Sequence, residues 1–151
     1  MADFVFNISL GRVAEKCVDD VNQLLVMLLK AAEADATYRD RDTVTAVLAE
    51  AGTTEAVFTN YARKTALTAT TTVDDTNDRV DIDIPDQTWT AAGNGANDTL
   101  TDLIVAYEED VGTPADTDRK PMTSHDFAVT TDGSDLTVQF NSSGFYRAQP
   151  L

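Results

Sequence analysis

Residues 67–84 read LTATTTVDDTNDRVDIDI. In the first half Leu67, Ala69, Thr71 and Val73 alternate with Thr68, Thr70 and Thr72. In the second half Val80, Ile82 and Ile84 alternate with Arg79, Asp81 and Asp83. A period of two sends the two sets to opposite faces of a strand. Between them Asp74-Asp75-Thr76-Asn77-Asp78 is a polar turn. The stretch therefore predicts a β-hairpin with one buried and one wet face, ended by Pro85-Asp86. The tail predicts a second hairpin. Phe127, Val129 and Thr131 lead into Asp132-Gly133-Ser134, and Leu136, Val138 and Phe140 return; Asp-Gly between alternating runs is the strongest short hairpin signal.

Outward from these hairpins, Leu103-Ile104-Val105-Ala106-Tyr107 reads as a buried strand, and Gln87-Thr88-Trp89-Thr90 opens another. The run Leu24-Leu25-Val26-Met27-Leu28-Leu29 is apolar on all sides. Its Leu and Met content favours helix, and an extension of a preceding helix is the competing reading. A run with no polar face must be covered all round, and a buried strand ending near Lys30 is the expectation here. Residues 35–42 carry mixed charges and read as a loop. Asp42 is a suitable N-cap for a helix over 43–51, with Val44, Val47, Leu48 and Ala51 as its apolar stripe and Gly52 as C-cap. Near the start, Phe4, Phe6, Ile8 and Leu10 alternate as in an arm strand able to pair with a neighbour. Residues 11–22 suggest a short helix or irregular turn. The fold expected is mainly β with one or two helices (α+β), a β-sandwich or partly closed barrel. An N-terminal arm and short helix (1–22) precede a single β-rich domain (23–151).

Composition narrows the function. The chain has 151 residues, enough to bury a core without a disulfide or metal. Its 26 acids against 11 bases give a net charge of −15. The bases do not cluster beyond the pairs Arg63-Lys64 and Arg119-Lys120, so nucleic-acid binding is not expected. A six-residue apolar run is too short for a bilayer, which needs about 20 residues. The start lacks a basic, then apolar, leader pattern, so synthesis and folding in a cytoplasm are expected. With one cysteine, Cys17, and one histidine, His125, neither an intrachain disulfide nor a multi-histidine metal site can form.

The candidate chemistry is thin. The Asp-rich turn 74–78, with Asp81 and Asp83, offers oxygens to a cation such as Ca²⁺ but lacks the EF-hand glycine and distal Glu. Asp and Asn close turns by bonding their own backbone, which explains the stretch without a metal. Ser124, His125 and Asp126 are consecutive, and adjacent strand residues face opposite ways, which does not suit a catalytic set. Lys16 beside Cys17 lowers a thiol pKa only slightly. Gly93-Asn94-Gly95-Ala96-Asn97 lacks the Lys-Ser/Thr of a phosphate loop. Three glycosylation-type triplets, at Asn7, Asn97 and Asn141, carry no weight without a secretory route. The expectation is a structural or interaction protein, not an enzyme, with no cofactor and no metal.

Several stretches carry a resemblance. Phe58 to Lys64 (FTNYARK), Asp74 to Thr90 (DDTNDRVDIDIPDQTWT), His125 to Phe140 (HDFAVTTDGSDLTVQF) and Asn141 to Arg147 (NSSGFYR) resemble a family of small virion-associated proteins of tailed viruses, chiefly phages of high-GC hosts. The resemblance implies an accessory structural protein, of head decoration or minor capsid type, on the capsid exterior. It implies the major capsid protein as partner, with no membrane and no nucleic acid. A homo-oligomer matching a local three-fold axis, a trimer, is the expected assembly. Phe4, Phe6, Ile8, Trp89, Phe145 and Tyr146 are the expected interface residues, although a tryptophan's area suits a core equally well. A tail or head–tail connector component is the alternative.

Overall fold

The computed structural model describes residues 4–6, 23–141 and 143–148. Its centre is the apolar run, which forms a strand. Leu24 to Leu29 are all buried, so both faces of that strand must be covered, as in the middle layer of a layered fold. We number the strands β1 (Phe4–Val5), β2 (Leu24–Ala31), β3 (Thr54–Glu55), β4 (Lys64–Leu67), β5 (Thr70–Asp74), β6 (Arg79–Asp83), β7 (Gln87–Trp89), β8 (Thr99–Glu108), β9 (Arg119–Thr130), β10 (Leu136–Val138) and β11 (Tyr146–Ala148). The helices are α1 (Asp35–Tyr38) and α2 (Val44–Leu48).

The main sheet has six strands in the order β1-β9-β8-β2-β3, with β4 also on β2. The pairing of β2 with β8 runs from Leu24 opposite Tyr107 to Leu29 opposite Asp102. Alternation then divides the core in two. Leu24, Val26, Leu28, Leu103, Val105 and Tyr107 pack with Ile82, Ile84, Trp89, Val138 and Phe145. Leu25, Met27, Leu29, Ile104 and Ala106 pack with Phe6, Tyr38, Val44 and Val47. The first face is roofed by two small antiparallel sheets, β10-β7 and β11-β6-β5. The second is roofed by α1, α2 and Phe6. Each fully buried aliphatic side chain contributes about 1.5–3 kcal/mol before entropy is charged against it.

The architecture is thus mainly β with two short helices, and its sheets remain separate, with none closed into a barrel. The first hairpin forms as β5 and β6, from Thr70 opposite Asp83 to Asp74 opposite Arg79. Leu67 is not part of it: Leu67 ends β4 and pairs with Leu24 of β2. The second hairpin does not form. β9 pairs with β8, whereas β10 pairs with β7, Leu136 opposite Trp89. The Asp-Gly turn spends its hydrogen bonds elsewhere. The Gly133 amide donates to the Ala92 carbonyl, the Ala92 amide to the Ser134 carbonyl, and the Ala91 amide to Asp135 Oδ1. The loop therefore crosses from the main sheet to a small one.

The helix over 43–51 is shorter than expected. Thr43, not Asp42, caps it, its Oγ1 accepting from the Ala46 amide at 3.1 Å. Gly52 is not a C-cap; its amide donates to Glu33 Oε1 at 2.8 Å. The charged segment after residue 34 is not wholly a loop, because α1 forms there. Tyr38 pins it: the hydroxyl accepts from the Glu33 amide and shares a hydrogen bond with Thr53, and the ring stacks on Phe6. The expected helix or turn over 11–22 lies outside the described residues, as do Ile8 and Cys17.

Candidate interaction surface

The expected interface residues divide by position. β1 pairs with its own chain, Phe4 opposite Ser124 and Val5 opposite Thr123. Phe6 is fully buried beneath the main sheet. Trp89 is a core residue too. Its Nε1 donates to the Ala62 carbonyl at 2.7 Å, its ring stacks on Tyr61, and the Lys64 ammonium lies 5.0 Å from its centroid. Phe145 is also buried in the first core cluster. Phe6, Trp89 and Phe145 therefore hold the layers together and offer almost no surface to a partner, because the apolar area that marks an interface anchor is already spent inside. Tyr146 is different: it packs against the core yet keeps part of its surface.

Tyr146 lines a cleft of about 580 Å³ beside β9, walled by Phe127, Phe140 and Tyr146 with His125, Gln139 and Arg147. Its C-terminal wall depends on Gly144. That residue has φ 72°, and a Cβ there would lie 1.9 Å from the Ile82 carbonyl oxygen. The close approach lets the Phe145 amide donate to the same carbonyl at 3.0 Å. β11 follows, and Arg147 Nε donates to Asp81 at 2.6 Å. His125 Nε2 is hydrogen-bonded to Thr123 Oγ1 at 3.0 Å. The register sets His125 opposite Leu103 and Asp126 opposite Asp102, so the two occupy opposite faces of the sheet. The aromatic walls and amide-bearing rim suit binding by surface contact.

Electrostatics gives the surface its sign. An ionic chain runs from Glu55 through Arg63, Asp116 and Arg119 to Glu108, with closest contacts of 2.6 or 2.7 Å at each link. It ties the loop after β8 to β3 and to the segment before β4. The hydrogen bonds that Arg63 donates to Glu55 lead the effects that hold its pKa well above the ordinary value, against the pull of burial. Burial works against ionisation of Asp116, but Arg63 and Arg119 together hold it below the usual carboxylate range. Lys30 pairs with Asp98, Arg41 with Glu50, Arg79 and Arg147 with Asp81, and Lys120 with Glu109. Most described bases are thus engaged within the fold. Asp42, Asp75, Asp78, Asp86, Asp118, Asp132 and Asp135 are exposed. The outer surface of the described residues is anionic.

The Asp-rich turn follows ordinary turn chemistry. Asp74 accepts from the amides of Thr76 and Asn77 and from Asn77 Nδ2, and the Asn77 side chain leads in holding its pKa down. Asp110 repeats the device with Gly112 and Thr113. Among the described residues no three His, Cys, Asp or Glu are grouped to hold a metal ion, and no helix is long and apolar enough to cross a membrane. The Gly93–Asn97 loop is tied down by Thr59, which accepts from the Gly93 amide and donates to the Ala96 carbonyl.

Sequence reading missed two groups. Tyr61 bridges the sheet: its hydroxyl accepts from the Leu28 amide at 3.1 Å and donates to Glu55 at 2.7 Å. Burial, reinforced by Glu55, pushes its pKa far up. Asp102 is only 1% exposed, and among the described residues neither carboxylate oxygen has a hydrogen-bond partner. A charged residue inside the alternating strand Thr99–Glu108 was the available signal for it. Compared with known proteins, the chain matches no family model, no curated protein and no solved structure.

Proposed function

We propose that this chain is a structural protein of a tailed-virus particle, a capsid decoration or minor capsid protein that binds the assembled shell and stabilises it. One observation carries the reading. The four stretches that resemble virion-associated proteins span residues 58–147, yet side chains from all four meet in one hydrophobic cluster. Phe58 and Tyr61 come from the first, Ile82, Ile84 and Trp89 from the second, Phe127, Val138 and Phe140 from the third, and Phe145 and Tyr146 from the fourth. All belong to, or pack against, one hydrophobic cluster. This shared packing supports reading the four stretches together.

The mechanism needs no chemistry. A protein that binds only the assembled shell shifts the assembly equilibrium by mass action. Its anionic exterior keeps it soluble before it docks and directs it to a cationic face of the major capsid protein. The test is the copy number of this chain in purified particles of the virus that encodes it, by quantitative mass spectrometry against the major capsid protein. Near-stoichiometry with the shell is the expected result. A handful of copies, fitting one ring or tip, moves the chain to the tail or connector. Absence from particles overturns the reading.

A further inference from the structure

The edge strand β5 points to a second copy of this chain. The edges of the main sheet are taken or short: β1 lies on β9, and β3 and β4 share the outer side of β2. β5 is different. It pairs with β6 on one side, over five residues without a bulge, and among the described residues nothing pairs with its other side. Proteins protect such edges with Lys, Pro, bulges or inward charges, because unpaired amides and carbonyls recruit strands from other chains. Thr70-Thr71-Thr72-Val73 has none of these guards.

The core-facing side of β5 is partly uncovered: the Thr71 hydroxyl is buried, but Val73 is not. Thr71 and Val73 lie opposite Ile82 and Val80, which belong to or pack on the first core cluster. Yet Val73 is 65% exposed, one of three large hydrophobic side chains exposed among the described residues. An apolar side chain on the inner face of an edge strand, open to water, is what remains when a sheet stops one strand short. Charge permits it: Thr70 to Val73 carry no acid, and Asp74, which ends the strand, is paired with Arg79 of its own hairpin.

We propose that two copies pair β5 to β5 in antiparallel fashion about a two-fold axis through Thr72. The two three-stranded sheets then become one of six. In this register Thr72 faces the second copy's Thr72, Thr71 faces Val73, and Thr70 faces Asp74. No like charges meet, and each Val73 gains a β-branched neighbour, a favourable cross-strand pairing. The contact is isologous and closes on itself, which makes a dimer and not the trimer expected from capsid symmetry. The inference stands independently of the virion reading.

The experiment uses the full chain with Cys17→Ser as background. Directly opposed residues have Cα atoms about 4.5–5.5 Å apart, within disulfide reach, whereas copies of residue 70 lie about 13 Å apart in this register. Mild oxidation is expected to link Thr72→Cys into a dimer and to leave Thr70→Cys largely unlinked. In the native chain, light scattering after size exclusion is expected to give the mass of two copies at high concentration. Thr72→Lys sets two ammonium groups face to face and is expected to weaken the dimer at least about tenfold with unchanged thermal unfolding. A native chain of one or three copies overturns the proposal. So does equal crosslinking of Thr70→Cys and Thr72→Cys, or a dimer untouched by Thr72→Lys.

Discussion

Asp102→Asn is expected to make the protein more stable, and only above a definite pH. Asp102 sits within β8, opposite Leu29 on one side and Asp126 on the other. It shares the buried face with Ile104 and Ala106, and its oxygens have no hydrogen-bond partner among the described residues. Burial raises its pKa, and Asp126 and Asp35 add to the rise. A folded-state pKa above the unfolded value means stability fully present below the unfolded pKa and lost as pH rises through the folded one. The window therefore opens at the ordinary aspartate value of 3.8 and extends upward. Leaving a buried polar group unsatisfied costs about 1–3 kcal/mol, and a charge costs more. Asparagine keeps the shape and still leaves a polar group unsatisfied, but it removes the charge. The expected gain near neutral pH is about 1–2 kcal/mol, shrinking towards zero below the ordinary aspartate pKa. Urea unfolding of both proteins across the acid-to-neutral range reads it directly. A destabilised variant near neutrality, or a gain that does not change with pH, refutes the reasoning.

Three further expectations concern the supports of the fold. Gly144→Ala forces a methyl onto the Ile82 carbonyl and a side chain into a left-handed backbone, a loss of about 2–4 kcal/mol in urea unfolding. An unchanged midpoint would show that the cleft wall yields freely. Arg63→Lys cannot keep paired bonds to both Glu55 and Asp116, and a loss of about 1–3 kcal/mol is expected. Asp116 titrates low, so its contribution is present above the ordinary carboxylate pKa and disappears as pH falls through the lower folded value. Arg63→Lys should accordingly move acid unfolding to higher pH, and an unmoved acid midpoint would count against the ionic chain. Tyr61→Phe strands the Leu28 amide and should cost about 1–2 kcal/mol by thermal unfolding; a neutral result would mean that the bridge carries no stability.

Local periodicity carried most of the elements. β2, β8 and the β5–β6 hairpin were legible because side-chain alternation and turn chemistry act within a few residues. The partner of each strand was not. Asp132-Gly133 looks like a hairpin turn until Ala91 and Ala92 claim its hydrogen bonds, and those residues are about 40 positions away. Trp89, Phe6 and Phe145 looked equally fit for a core or an interface, because both reward the same apolar area. Only the layering decided it. Thr43 displaced Asp42 as helix cap through backbone geometry that a one-residue shift in sequence cannot reveal. Arg63 reads as half of a basic pair, whereas its partners Glu55 and Asp116 converge from either side of the sequence.

Salt separates the two associations proposed here. A chain of formal charge −15 meeting its own copy must overcome repulsion between two anions, however neutral the contact strand. Added salt shortens the screening length to about 10 Å at 0.1 M and about 3 Å at 1 M. Pairing of β5 with β5 rests on backbone hydrogen bonds and Thr–Val contacts, which screening hardly weakens. The dimer is therefore expected to tighten as salt rises. Docking on a cationic shell face is the opposite case, since attraction between unlike charges is lost on screening. Sedimentation of the free chain and particle binding, followed over the same salt series, should give slopes of opposite sign. A dimer that dissociates with added salt would mean that ion pairs, not the neutral edge of β5, hold it.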